Sequence, residues 1–230
     1  MPDWAKAGSK SAKKYALSNK ADYFLSNERY FKYLDPRLDA LRVIYDPFFD
    51  KYDKILSIDL DILLKTKDNI FDIDIGDIAM VHELGIHVSA AGWMKRTMES
   101  PGHERGVIAY GKKIFGEDWM FPKSKLYPDE KFRYMNGGVQ LWSKEGRLKA
   151  REHFTSVENY ILHTRYTEQM YINLQLSQPI FEVTELDTYW NRMPYQWGNK
   201  PDGKINHFLA RTKFDMPKLE KTELSIWENS

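Results

Sequence analysis

The feature that most constrains the fold is an apolar run from Lys54 to Leu64, KILSIDLDILL, that two aspartates interrupt. An unbroken stretch rich in isoleucine and leucine is typical of a strand that is buried on both faces, as in a parallel sheet with helices on each side. Strand-like and helix-like segments alternate along the rest of the chain. We therefore predict an α/β fold with a mainly parallel, Rossmann-like sheet flanked by helices.

The two aspartates in this run, Asp59 and Asp61, need a physical reason, because burying an unpaired charge is costly. Residues two apart on a strand face the same side, so both carboxylates can reach one cation where the strand ends. Carboxylate oxygens suit Mg²⁺ or Mn²⁺. One alternative is that an aspartate caps the next turn. Another is the haloacid-dehalogenase phosphatase motif, but that family normally has Thr or Val where Leu63 stands.

A further candidate ligand, His207, lies in a short apolar segment near the far end of the chain, KINHF. A neutral imidazole there could complete a site of two carboxylates and one histidine. The alternative is a hydrogen-bonded core histidine. Arg211 and Lys213 follow, placed to meet phosphate oxygens, unless they belong to a solvated basic stretch.

The whole chain, 1–230, is predicted to be a single domain. Its patterns predict strands over 77–81, 134–143 and 204–209, and helices over 9–19, 39–49, 147–163 and 168–176. Residues 84–131 contain glycines, prolines and scattered charges, which indicates a variable lid or acceptor-binding region. Glu83, just before it, is a candidate contact for a sugar or ribose.

Composition excludes several classes of protein. Lys and Arg number 34 against 33 Asp and Glu, a net charge of +1, which disfavours nucleic-acid binding. The chain has no cysteine, which rules out disulfides, thiolate zinc sites and cysteine nucleophiles. Residues 1–14 lack the apolar stretch of a secretory signal, and no apolar run is long enough to span a membrane. We expect a soluble, cytoplasmic protein of unknown oligomeric state.

Five blocks of the chain, in this order, resemble the glycosyltransferases of family 8, the glycogenin and bacterial galactosyltransferase type. They are RVIY (42–45) leading to KILSIDLD (54–61), YMNGGV (134–139), TEQ (167–169) followed by Asn173, Trp190-Asn191, and HFLARTK (207–213). The last block is similar to the family's His-x-x-Gly-x-x-Lys, with Ala210 in place of the glycine. Glu168 stands where the family usually has aspartate.

The resemblance implies a GT-A fold with a small second sheet, and a metal-dependent hexosyltransferase of carbohydrate biosynthesis. It also implies a nucleotide-diphosphate sugar as donor, a UDP-sugar, a glycan or other hydroxyl as acceptor, and retention at the anomeric carbon. The family's opening strand is expected to be missing or shortened here. A catalytically inactive glycan- or nucleotide-binding module of the same fold is the alternative.

Carried onto this chain, the resemblance and the residue patterns assign three sets of site residues. The metal ligands, for Mn²⁺ or Mg²⁺, are Asp59, Asp61 and His207. The donor-binding residues are Arg42, Asp59, Asn136, Gly137, Gly138, Arg211 and Lys213. The catalytic candidates near the sugar are Glu168, Gln169 and Asp187. For Asn136-Gly137-Gly138 a plain turn remains an alternative, since Asn-Gly is a strong turn signal.

Overall fold

The structure is a computed structural model that describes residues 1–26, 28–83, 107–129, 132–163, 168–194 and 201–221. Its α-helices are α1 (Asp3–Ser18), α2 (Arg42–Tyr45), α3 (Val107–Phe115), α4 (Lys144–His153), α5 (Val157–His163) and α6 (Glu168–Gln175), and residues 216–221 are also helical. Its strands are β1 (Lys54–Ile58), β2 (Ile62–Leu64), β3 (Ile78–His82), β4 (Met135–Ser143), β5 (Val183–Leu186) and β6 (Ile205–His207). The described chain combines two sheets with flanking helices, so the predicted α/β class is confirmed.

The main sheet has four described strands in the order β1-β4-β3-β5. The long strand β4 lies between β1 and β3 and runs antiparallel to both, while β3 and β5 are parallel. The described sheet is therefore mixed, and the prediction of a mainly parallel sheet was wrong in this respect. All five residues of β1 are only partly buried, with Ile55 packed against one apolar core and Leu56 and Ile58 against a second, and contacts on both faces do not determine strand direction.

Burial on both faces is clearest in β3. Ile78 and Met80 belong to a large apolar core that also includes residues of α3 to α6, whereas Ala79 and Val81 belong to a second core on the opposite face. All five residues of β3 are buried. Alternate residues of a strand point to opposite faces, so a strand with a core on each side needs apolar residues throughout.

The second sheet is small and consists of β2 and β6, which pair antiparallel with Ile62 opposite His207. The apolar run 54–64 therefore does not form one strand, as predicted, but two strands in different sheets. The chain turns at Asp59–Asp61, where Leu60 is 37% exposed, and the strands on either side of the turn end at Ile58 and begin at Ile62. This small sheet confirms the second sheet expected from the resemblance.

The helices differ from the prediction in their ends and in two interruptions, one of which divides the predicted helix over 147–163 into α4 and α5. The first helix begins at Asp3 and is longer than predicted. The predicted helix over 39–49 is a short α2 between two 3₁₀ helices, Pro36–Leu41 and Pro47–Lys51. A proline at the start of each of these, after a capping aspartate, explains the interruption.

Much of the predicted lid, 84–131, lies outside the described residues, and its described part includes α3. Among the helices of the described ranges, none combines the length and the apolar character needed to cross a bilayer.

Helix α6 is attached to the start of β4 by the buried side chain of Asn173. Its Oδ1 accepts from the Met135 amide at 2.7 Å, and its Nδ2 donates to the Met135 and Gln169 carbonyls at 2.8 Å each. One side chain therefore fixes the position of α6 relative to the segment that begins at Met135.

We expect Asn173→Leu to lower the free energy of unfolding by about 2–4 kcal/mol, because it leaves the buried amide and carbonyl of Met135 without these partners. Urea denaturation followed by circular dichroism measures this change. A loss below about 1 kcal/mol would show that the helix and strand hold together without the amide bridge.

Candidate active site

The acidic turn, Asp59–Asp61, connects the two sheets and is fixed on both sides by backbone hydrogen bonds. The Asp59 amide donates to the Gly138 carbonyl of β4 at 3.0 Å, and the Phe208 amide donates to the Asp61 carbonyl at 2.7 Å. The first bond continues the pairing of β1 with β4, and the second continues the pairing of β2 with β6. Both carboxylates are thereby held where the two sheets meet.

The imidazole of His207 lies against these carboxylates. Its Nε2 is 3.3 Å from Asp61 Oδ1 and 3.8 Å from Asp59 Oδ2, and one ligand atom from each of the three residues lies within 4.8 Å of the others. Only 3% of the His207 side chain is exposed, against 15% for Asp61 and 50% for Asp59. The cluster therefore has a buried imidazole and an open carboxylate, and its donor atoms suit Mn²⁺ or Mg²⁺.

The electrostatics of the two carboxylates differ. Loss of surrounding water raises the pKa of Asp59, although half of its side chain is exposed; His207 and Lys213 oppose this effect and Asp61 adds to it. Burial also acts to raise the pKa of Asp61, but the hydrogen bonds and charges of His207 and Lys213 outweigh it and lower the pKa. His207 and Lys213 thus favour the ionised form of Asp61.

Lys213 belongs to the 3₁₀ helix Ala210–Asp215 that follows β6. Its Nζ is 3.3 Å from Asp61 Oδ2 and 4.5 Å from the centre of the Trp4 ring. The predicted basic residue therefore lies at the acidic cluster, whereas Arg211 of the same helix is exposed.

The segment Asn136-Gly137-Gly138 lies within β4 and is not a hairpin turn, so that alternative is wrong. Adjacent residues of β3, Met80 and Val81, pair with Gln140 and Asn136, which means that the residues between them bulge away from β3. Bulges of this kind redirect side chains next to functional sites. A Cβ on Gly138 would lie 2.3 Å from His207 Cε1, so only glycine allows the imidazole to approach this strand.

A network of side-chain amides surrounds this bulge. Asn136 Oδ1 accepts from the Gly138 amide at 2.9 Å and from Asn191 Nδ2 at 2.7 Å. Gln169 Oε1 accepts from the Gly137 amide at 2.9 Å. These contacts bring three of the resembling blocks together around the bulge.

The carboxylate of Glu83, the residue that follows β3, holds the network in one orientation. Its Oε2 accepts from Gln169 Nε2 at 2.6 Å and from Asn136 Nδ2 at 3.3 Å. Burial raises the pKa of Glu83, and these two hydrogen bonds oppose the shift. The sequence marked Glu83 only by its place after an apolar strand, as a sugar or ribose contact, and did not indicate its role towards the amides.

The remaining predicted residues have mixed placements. Glu168 begins α6 beside Gln169, and its Oε2 is buried with no hydrogen-bond partner within the described residues. Asp187 caps the 3₁₀ helix Thr188–Asn191 by accepting from the Tyr189 amide at 2.8 Å. Arg42 donates to Asp46 Oδ2 at 2.8 Å and packs among aromatic rings, so its contacts are not with the acidic turn.

Comparison with known proteins gives no match to a protein-family model and no match among curated proteins. Solved structures do match, and the first three are glycosyltransferases. A glycosyltransferase involved in glycosylation of the major capsid of PBCV-1 superposes with a TM-score of 0.57, at 13% identity over 95% of this chain and 92% of that one. The galactosyltransferase LgtC gives 0.55, at 14% identity over 96% and 92%.

The chain has the GT-A glycosyltransferase fold. A third structure, the bifunctional glycosyltransferase WbbM, has a TM-score of 0.51 at 15% identity, and the match covers 85% of this chain but 38% of that one. Identities this low establish the fold but do not transfer an activity.

The pKa of Glu168 predicts a pH effect on stability. Burial raises this pKa from 4.5 to about 7, and the charge of Asp59 adds to the shift. The folded state therefore holds a proton that the unfolded state releases between about pH 4.5 and 7, so the contribution of Glu168 to stability falls as the pH rises through this window and is lowest above it.

We expect Glu168→Gln to raise the melting temperature relative to the parent protein at pH 8 and to have much less effect at pH 5. Thermal melting at both pH values measures the difference, with the exposed Glu117→Gln as control. An equal effect of Glu168→Gln at the two pH values would contradict the assigned shift.

Proposed function

We propose that this chain is a divalent-metal-dependent glycosyltransferase that moves a sugar from a nucleotide-diphosphate sugar to an acceptor hydroxyl. The observation that carries the proposal is the cluster of Asp59, Asp61 and His207 at the junction of the two sheets, with Lys213 beside it. The fold itself is shared with glycosyltransferases, one of which was solved with donor and acceptor sugar analogues.

The cluster fits a resident Mn²⁺ or Mg²⁺ in its chemistry and its openness. Two carboxylates and an imidazole supply oxygen and nitrogen ligands, and the half-exposed Asp59 leaves one side free for water and phosphate oxygens. Bound there, the cation would act as a Lewis acid that stabilises the charge developing on the leaving diphosphate.

Lys213 supplies the protein's own positive charge for the diphosphate. Its ammonium lies at Asp61, so a phosphate oxygen close to that carboxylate would be within reach of charge-assisted hydrogen bonds from Nζ. Arg211 is exposed nearby in the same helix and is a second candidate for the phosphates.

The bulge of β4 and the start of α6 form the part of the site that would hold the sugar. Gly138 lies next to His207, Asn136 accepts from the Gly138 amide, and Gln169 is fixed by the Gly137 amide and by Glu83. Within the part of the chain that the structure describes, the buried Oε2 of Glu168 has no hydrogen-bond partner, which makes it a candidate to bind a sugar hydroxyl. Asp187 and Arg42 remain candidates for the same pocket from the resemblance alone.

The finer assignment rests on the resemblance to family 8. It proposes a UDP-sugar as donor, hexosyl transfer, retention at the anomeric carbon, and a glycan or other hydroxyl as acceptor. The order of the five blocks supports this assignment, and so does the way in which four of them meet around the acidic turn: Asp59 and Asp61, Asn136 to Gly138, Gln169 and Asn173, and His207 to Lys213.

We expect Asp61→Asn to reduce Mn²⁺-dependent transfer by a factor on the order of 10²–10³, as with the loss of one transition-state donor, because it removes a ligand charge at the point where the leaving diphosphate must be stabilised. Release of UDP from UDP-sugars with Mn²⁺ measures the rate. The exposed Asp74→Asn is the control and should match the parent protein.

Two results would contradict this proposal. Transfer that is equal in Asp61→Asn and in the parent protein would remove the metal cluster from the reaction. Nucleotide or glycan binding without any turnover, unaffected by Asp61→Asn, would instead indicate the inactive binding module.

A further inference from the structure

One face of helix α1 lies directly on the acidic turn and on the segment that carries Lys213. We infer that this helix is a positioning element of the active site, which fixes the acidic turn through Gly8 and Lys213 through Trp4. The inference rests on the proposed function for its catalytic meaning, and its geometric basis is independent of it.

The contact at Gly8 is between backbones. A Cβ at this position would lie 2.0 Å from the carbonyl oxygen of Leu60, the residue between Asp59 and Asp61, and 3.1 Å from the carbonyl oxygen of Ile62. Both neighbours are main-chain atoms, so no flexible side chain can move aside to relieve the overlap. The absence of a side chain at Gly8 therefore sets how closely the helix can approach the turn.

Two further residues on the same face hold the helix to the chain beyond the turn. Ser11 Oγ accepts from the Leu64 amide at 2.8 Å and donates to the Leu64 carbonyl at 3.2 Å. The Tyr15 hydroxyl donates to the Asp68 carbonyl at 2.7 Å and accepts from the Ile70 amide at 2.9 Å. The spacing of Gly8, Ser11 and Tyr15 places all three on one side of a helix, so they act along the same line of contact.

The first turn of α1 reaches the other side of the cluster. The Trp4 ring lies 4.5 Å below Lys213 Nζ, a distance at which a cation and an aromatic face attract each other. Trp4 also packs with Ala7, Leu63, Phe208 and Met216, which joins the helix to β2 and to the chain after β6. Trp4 and Gly8 are four positions apart and lie on the same helix face, so this face controls the separation between Lys213 and the acidic turn.

The test compares Gly8→Ala with a matched control, Gly146→Ala. Gly146 is also a buried helical glycine against a carbonyl, with its Cβ position 1.9 Å from the Asp77 oxygen, but it lies at the opposite end of β4 from the bulge. Both substitutions should lower the melting temperature, because both create an overlap with backbone. Only Gly8→Ala should disturb the acidic turn.

Hydrogen exchange of single amides in the full chain reports the geometry of the turn without any ligand. The Asp59 and Phe208 amides, which donate to Gly138 and Asp61, should exchange faster in Gly8→Ala and not in Gly146→Ala. The Ser143 amide, which donates to the Asp77 carbonyl, should exchange faster in Gly146→Ala and not in Gly8→Ala. Unchanged exchange at Asp59 and Phe208 in Gly8→Ala would overturn the inference.

Binding measurements then connect the geometry to function. Gly8→Ala should weaken Mn²⁺ binding by about tenfold or more, as expected when the support of a metal ligand is lost, while Gly146→Ala should not.

Trp4→Leu, which keeps an apolar contact, should weaken UDP binding in the presence of Mn²⁺ and leave Mn²⁺ binding unchanged. Unchanged UDP binding in Trp4→Leu would remove Lys213 from the role assigned to the helix.

Two further outcomes remain informative. If Gly8→Ala does not fold, Ser11→Ala and Ser143→Ala replace the pair, since each loses hydrogen bonds to backbone without any overlap. Faster exchange at Asp59 and Phe208 only in Ser11→Ala supports the inference, and equal exchange in both overturns it. If the parent protein binds neither Mn²⁺ nor UDP, the proposed function fails, while hydrogen exchange still decides the role of the helix.

Discussion

The site depends on a pair of backbone hydrogen bonds that hold the acidic turn between two sheets. The Asp59 amide is bound to β4 and the Asp61 carbonyl is bound to the chain after β6, so the backbone from which both carboxylates project cannot move without breaking a sheet contact. The two sheets together therefore hold the carboxylates of Asp61 and Asp59 at 3.3 Å and 3.8 Å from the imidazole of His207. A site built on sheet edges is more rigid than one carried by a free loop.

Around this turn, side chains that are distant in sequence fix one another's position through hydrogen bonds. Glu83 accepts from two amides and so fixes which atom of each points towards the Gly137 and Gly138 amides. Asn173 fixes the start of β4 relative to α6, which carries Glu168 and Gln169. The result is a wall of fixed amide dipoles next to a charged cluster.

The sequence predicted the parts of the site whose chemistry is unusual for their surroundings. Charges inside an apolar run drew attention to Asp59 and Asp61, and a histidine near the end of another apolar segment drew attention to His207. The α/β class followed from alternating elements. Strand direction did not, because a strand between two cores shows the same composition whether its neighbours are parallel or antiparallel.

Other features depend on contacts between segments that no local pattern reports. The bulge in β4 appeared in the sequence as a possible turn, since Asn-Gly suits both, and only the pairing with β3 distinguishes them. The role of Glu83 depends on two amides more than 50 residues further along the chain. Gly8 lies outside the helix predicted over 9–19, and its importance comes entirely from the carbonyl that it faces.

The contact between Gly138 and the ring of His207 links two positions that are far apart in sequence. A methyl group at position 138 would overlap the imidazole, so relatives with this architecture should not combine a larger residue at 138 with a histidine at 207. The two positions should vary together, either as glycine with histidine or with both replaced. In a set of diverging sequences, that pair would separate chains that keep the imidazole in this place from chains that have lost it.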